Sequence, residues 1–184
     1  MRQDEVAFEA EDADKIEAPM EIVKDAKVSG GKYIKSPTGR AGWAEYEIEI
    51  PDDAKYYMWG MVQEHSGVTD SFFITFDLLD RGQDNDANVN TWDLGGPANT
   101  WVWDKVSGRG AGGDPRIFEL SKGTHNLRVW TREEESWLDC LYMSTDQNAQ
   151  PVLASEFKGR KRTSAPKSVT YIGKLAITWG RVKK

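Results

Sequence analysis

At 184 residues the chain is long enough for one domain with its own core, and its single cysteine and two histidines exclude a disulfide framework, a cysteine-based zinc site and a histidine-rich metal centre. Its net charge of −6 is uneven: residues 147–184 carry +8 and the remainder −14. A body this acidic repels nucleic acid, and no apolar run approaches the roughly 18 residues of a membrane span.

The opening stretch, MRQDEVAFEAED, is acidic and lacks the apolar core of a secretory leader. Within it FEAED at 8–12 alternates, so Glu9 and Glu11 are expected on one face of a strand. Two carboxylates on one face repel each other. A calcium ion, which takes six to eight oxygen ligands, would relieve that repulsion; exposed strand acids are the other reading. WAEYEIEI at 43–50 alternates cleanly, with Tyr46, Ile48 and Ile50 on one face and Glu45, Glu47 and Glu49 on the other. Pro51, Asp52 and Asp53 make a turn. Further strands are expected at 56–62, 71–78, 101–106, 116–120, 125–130 and 137–144, with a hairpin-type turn at 121–124. No segment holds a helical period. The pattern predicts an all-β fold, a β-sandwich or jelly roll of two antiparallel sheets.

Two long polar loops, 80–99 and 107–115, interrupt the strands, and loops of that length tend to carry function. Trp92 falls in the first, where no core needs it, and so is a candidate for ligand contact. Asp84, Asn85, Asp86 and Asn88 in the same loop carry calcium-type oxygens without EF-hand spacing. Asp70, Gln63, Glu64, His65, Arg132 and Glu133 stand at strand ends, with groups suited to sugar hydroxyls. Arg132 pairing with Asp70 or Glu133 is the structural alternative.

WLDCL puts Asp139 in an otherwise apolar last strand, where an acid is costly unless paired or metal-bound, and Cys140 reads as a small buried hydrophobe. First and last strands are often neighbours in sandwiches, which would bring Glu9, Glu11 and Asp139 together. Residues 147–165 have linker composition, and GRKR at 159–162 reads as a solvated stretch. The final KSVTYIGKLAITWGRVKK is apolar enough to form a strand or to dock on its own domain, a neighbour or an export machine. The expected division is a sandwich over 1–146 and a basic linker and tail over 147–184.

Taken in order, FEAED, VSGGKYI at 28–34, YYMWGMV, DSFFITFD, WVWDKV and LSKGTHNLRVWTREEESWLDCLYMSTD resemble the carbohydrate-binding modules of families 6 and 35 over residues 5–146. The resemblance implies a structural calcium held by Glu9, Glu11, the backbone near Lys32, and Asp139. It also implies sugar binding at the loops on one edge of the sandwich. NTWVWDKV resembles the family's Gly-Gly-Trp stretch and makes Trp101 the expected stacking platform, with Tyr33 as its aromatic partner; Asn99 and Thr100 stand where the family has glycines. Trp103, of the same parity as Trp101, is read either as core or as binding.

Three functions are compatible with these residues: a secreted or cell-surface module that binds polysaccharide beside a carbohydrate-active enzyme, a calcium-stabilised adhesion or spacer domain, and a small glycosidase or lyase. Eight Trp favour the first, since indoles suit flat, partly apolar ligands. No nucleophile–base constellation supports the third. A monomer is expected.

Overall fold

The computed structural model describes residues 4–78, 89–108, 113–162 and 170–172. Alternation builds its sheets. On β5 (Trp43–Ile50) Ala44, Tyr46, Ile48 and Ile50 are buried inward, and the opposite parity carries Trp43, Glu45, Glu47 and Glu49. β11 (Gly123–Thr131) pairs antiparallel with β5 from Gly123↔Ile50 to Trp130↔Trp43, and on its other side with β7 (Ser71–Phe76). β2 (Lys15–Glu17) flanks β5, and β8 (Asn90–Asp93) flanks β7. A short strand at Thr170–Ile172, the last among the described residues, runs parallel to β2 and completes a six-stranded sheet.

The second sheet is organised by β12 (Trp137–Ser144), which pairs with β1 (Val6–Glu9), β4 (Lys32–Lys35) and β6 (Ala54–Gln63). β3 (Glu21–Lys24) joins β4, and β9 (Val102–Lys105) and β10 (Phe118–Leu120) both join β6. The two sheets close over one core that includes Phe8, Ile34, Tyr46, Ile48, Phe72, Trp92, Val129 and Leu141. The predicted all-β sandwich of two antiparallel sheets is the observed fold, with parallel pairing confined, among the described residues, to two short C-terminal strands. The outer face of the six-stranded sheet carries a network of charged and aromatic side chains. Glu45 accepts hydrogen bonds from Lys15 and Arg128, and the Arg128 guanidinium lies 4.1 Å from the centre of the Trp43 ring.

The chain does not leave the domain after β12. Ala149, Ala154 and Phe157 pack on the outer face of the eight-stranded sheet against Ala7, Trp59, Cys140 and Tyr142. β13 (Arg160–Lys161) then runs parallel to β1. Arg162 is buried, donates to the Asp14 carboxylate and the Asp12 carbonyl, and stands over the Phe8 and Tyr46 rings at 5.8 and 5.7 Å. Residues 147–162 are therefore not the solvated linker that their composition suggested. Composition counts polar residues, whereas four well-placed side chains decide the packing. Residues 163–169 and 173–184 lie outside the described region, as do Asp84, Asn85, Asp86 and Asn88.

Candidate functional site

Two sites lie near the start of β12. The first is a buried acidic pocket. Glu9 closes β1, and its register partner is Cys140, the neighbour of Asp139. Asp139 is the extra residue of a β-bulge: β12 is in register with β6 at Leu138↔Val62 and again at Cys140↔Met61. Bulges re-aim side chains, and the Asp139 carboxylate accepts the Ser29 N–H at 3.1 Å. The Ser29 hydroxyl donates to Glu9 Oε1 at 2.8 Å.

Glu11 does not share a strand face with Glu9, because β1 ends at Glu9 and residues Ala10–Asp12 turn in a 3₁₀ helix. That turn still delivers Glu11 to the same place. A Cβ added to Gly30 would stand 2.7 Å from Glu11 Oε1 and 3.0 Å from Glu9 Cδ, and the Gly30 φ of 61° suits glycine for a second reason. The Ser29–Gly31 turn is thus pressed against the carboxylates. Glu11 Oε2 and Asp139 Oδ1 are buried and accept no hydrogen bond. Burial, then the Glu9 charge, pushes the Glu11 carboxyl up to about 8, with Lys32 pulling weakly the other way. Burial likewise raises Asp139 to about 7, again with Glu9 contributing. Among the described residues no three His, Cys, Asp or Glu side chains are arranged to hold a metal ion by themselves.

The second site is aromatic and gathers at Trp137, the first residue of β12. Trp137 pairs across the sheet with Lys35 and Gln63. Its ring stacks on Tyr33 at 5.0 Å between centroids and 24° between planes. Trp101 meets Tyr33 edge-on at 5.4 Å and lies 6.2 Å from Trp137. Trp101 and Trp137 are half-buried, whereas Tyr33 is only 5% exposed. Tyr33 is therefore a backing ring that holds the two indoles, and the exposed partner of Trp101 is Trp137. Sequence reading missed Trp137 as a site residue because it opens a strand that looks like core. The acids just before it, Glu133, Glu134 and Glu135, were the available signal that the strand begins at a polar edge.

Polar groups rim these rings. The Lys35 ammonium lies 5.5 Å from the Trp137 ring centre and 3.1 Å from Glu135, which accepts the Trp137 indole N–H. The Glu64 carbonyl accepts the Asn99 N–H at 2.7 Å, and Asn99 meets the His65 ring at 3.0 Å. Asn99, two residues before Trp101, takes a positive φ of 58°, which an asparagine tolerates, so it adopts a conformation that glycine otherwise favours.

Trp92 is not a loop aromatic. It sits on β8, is fully buried, and points its indole N–H at Asp104 Oδ2, 2.6 Å away. A side chain at Gly60 would collide with it, its Cβ 2.4 Å from the Trp92 ring. Arg132 is likewise engaged internally, donating to Ser71 and Glu133 and lying 3.7 Å from Asp93. Glu133 accepts from the Asp70 backbone and hydrogen-bonds the Asp70 carboxyl. Burial, then Glu133, raises Asp70 to about 7. Burial alone would raise Glu133 too, but hydrogen bonds from Ser71 and Asp70 hold it below the usual range. A raised and a lowered carboxyl side by side suggest acid–base chemistry. Glycoside cleavage, however, needs its two carboxyls about 5–9.5 Å apart across the bond, and these two touch each other.

No family model and no curated protein matches the chain. Solved structures do. The C-terminal family 6 carbohydrate-binding module of the marine laminarinase LamC from Zobellia galactanivorans aligns with a TM-score of 0.56 at 13% identity, over 76% of this chain and 98% of that one. The family 6 module of Cellvibrio mixtus lichenase 5A, in complex with cellotriose, gives 0.54 at 16% over 77% and 97%; a family 35 module from Clostridium thermocellum gives 0.55 at 16% over 77% and 98%. The chain spans 29% of the length of a Phanerochaete chrysosporium exo-β-1,3-galactanase, which it matches with a TM-score of 0.57 at 12% identity. The chain has the β-sandwich fold of the family 6 and family 35 carbohydrate-binding modules.

Proposed function

We propose that this chain is a non-catalytic carbohydrate-binding module, with a sugar platform made of Trp101 and Trp137 and a structural calcium beneath the Ser29–Gly31 turn. The observation that carries the reading is the pair of half-exposed indoles, buttressed by buried Tyr33, at one end of a sandwich shared with sugar-binding modules. The C–H faces of a sugar ring stack on indole faces, and a few placed polar groups fix its hydroxyls. Lys35 and Glu135 stand at the rim for that purpose. Tyr33 costs little entropy on binding because its ring is already packed. Secretion, action beside a carbohydrate-active enzyme and a monomeric state belong to the same proposal.

The acidic pocket fits calcium by the chemistry of its donors. Two buried carboxylate oxygens accept no hydrogen bond, and burial resists their ionisation. Calcium, when bound, would neutralise them and complete its shell with backbone oxygen. Glu9, Glu11 and Asp139 would be the side-chain ligands and the carbonyl near Lys32 the backbone one. Among the described residues these carboxylates do not form a metal-holding group by themselves, and the proposal assigns the remaining ligands to backbone oxygen.

Affinity gels with immobilised polysaccharides test the platform. Trp101→Ala and Trp137→Ala are each expected to lose retardation while keeping the thermal transition of the unaltered chain. Release of reducing ends or unsaturated products would instead establish an enzyme. No binding across a broad glycan array would overturn the proposal in favour of protein adhesion.

A further inference from the structure

The loop-end platform does not stop at Trp101. β9 begins at the next residue, and its Trp103 has the parity of Trp101, so it shares the sheet's outer face. In register with Met61, Trp103 packs beside it, half-buried, against the outer aromatic cluster. Two residues along a strand separate the two Trp positions by about 6.7 Å, a step on the scale of a sugar unit. β9 pairs only with β6 among the described residues, so this row runs along a sheet edge.

Beyond Trp103 the face opens into a groove of about 330 Å³, lined by Trp59, Trp103, Lys105, Gln147, Asn148 and Gln150 among others. Its far wall is built by residues 147–151, the start of the C-terminal strap formed by residues 147–162. The Lys105 ammonium donates to the Gln147 carbonyl at 2.5 Å and lies 4.9 Å from the centre of the Trp59 ring, fixing strap to sheet. The groove therefore combines an indole face, an ammonium and three exposed primary amides. Amides both donate and accept, as hydroxyl recognition requires. A purely apolar ligand would leave them unused.

We propose that the groove between Trp103 and the strap is a second sugar subsite, continuous with the loop-end platform, so that the chain binds the interior of an oligosaccharide along β9 and not a terminal residue alone. This extension rests on the proposed sugar-binding function. The strap acquires a role in it: it supplies the wall that a sandwich ending at residue 146 would lack.

The test uses the full chain and calorimetric titration with two-unit and six-unit oligosaccharides of the β-1,3-glucan, β-1,4-glucan, β-1,4-mannan and β-1,3-galactan series. For whichever series binds, Trp103→Ala is expected to weaken the six-unit ligand roughly five- to tenfold and the two-unit ligand less than about twofold. Trp101→Ala is expected to abolish both. Gln150→Ala, an exposed change that leaves the fold intact, is expected to show the same length dependence more weakly, and it guards against a Trp103 variant that misfolds. Equal effects at both lengths, or none for either variant, overturn the extension and leave the loop-end site standing. Failure of the unaltered chain to bind any series overturns both.

Discussion

Arg162→Ala should destabilise the domain by about 3–5 kcal/mol, the usual cost of removing one partner from a buried ion pair. The Arg162 and Asp14 side chains are 4% and 8% exposed, so solvent does not replace what is lost. Removing the guanidinium strands a buried carboxylate that keeps, among the described residues, only the Glu47 N–H at 2.7 Å. It also uncovers the Phe8 and Tyr46 rings. For a chain of this size each kcal/mol moves the melting temperature by roughly 2–4 °C, giving a drop of roughly 6–20 °C. Differential scanning calorimetry reads this directly. Arg162→Met, which restores the apolar stem, should recover part of the loss, and combining it with Asp14→Asn should recover more, because no charge is then left unpaired. Raising the salt should not mimic the mutation, since buried pairs are poorly screened. A drop under about 2 °C for Arg162→Ala would mean that residues 159–162 behave as the solvated linker their composition suggests, and the packing argument for the strap would fall.

Other outcomes follow from the two sites and from the six-stranded sheet. Calcium in about thousandfold excess over its Kd should stabilise the native state by about 4 kcal/mol, so the melting temperature should fall in chelator; equal values in chelator and calcium would remove the metal from the proposal. His125 contacts two acceptors, Asp77 Oδ2 at 2.6 Å and the Ser121 carbonyl at 2.8 Å, so its ring carries both protons. Burial lowers its pKa, but those contacts outweigh burial and raise it above 6.5. Its stabilisation is accordingly complete below about pH 6.5 and lost as pH climbs through the folded value. The melting-temperature difference between the unaltered chain and His125→Gln should shrink from pH 6 to pH 9, and a constant difference would contradict the assignment. Asp70 has a folded pKa of about 7 against an ordinary carboxylate value unfolded, so the folded state binds the extra proton and loses stability as pH rises between the two. Asp70→Asn, which keeps a donor toward Glu133, should therefore raise the melting temperature at pH 8 relative to the unaltered chain and do little at pH 4.

The sandwich was legible because its strands alternate. WAEYEIEI announces both its buried face and its acidic one, and the structure honours each residue's parity. Trp92 shows where such reading ends. Its neighbours are loop-like in composition, and what buries it is a missing side chain at Gly60 on another strand, with Asp104 on a third to take its indole N–H. No local pattern contains that information. Arg162 illustrates the same limit with the opposite chemistry: a basic run looks solvated until Asp14 and the Asp12 carbonyl, 148 and 150 residues away, are brought to it.

One step in the sequence reading of the acidic pocket does not match the structure. Alternation put Glu9 and Glu11 on one strand face, yet the strand ends at Glu9 and a 3₁₀ turn, pressed from above by Gly30, brings the second carboxylate in. Asp139 arrives by a bulge, which a period-two reading cannot register because a bulge is a break in period. The same strand carries both sites: Trp137 faces outward at its start, and two residues on, the bulge turns Asp139 toward the Ser29 amide. β12 therefore ties the two sites together mechanically. Under the proposed function, loss of calcium would act on sugar affinity through the alignment of β12. It should cost stability at low temperature before it costs binding.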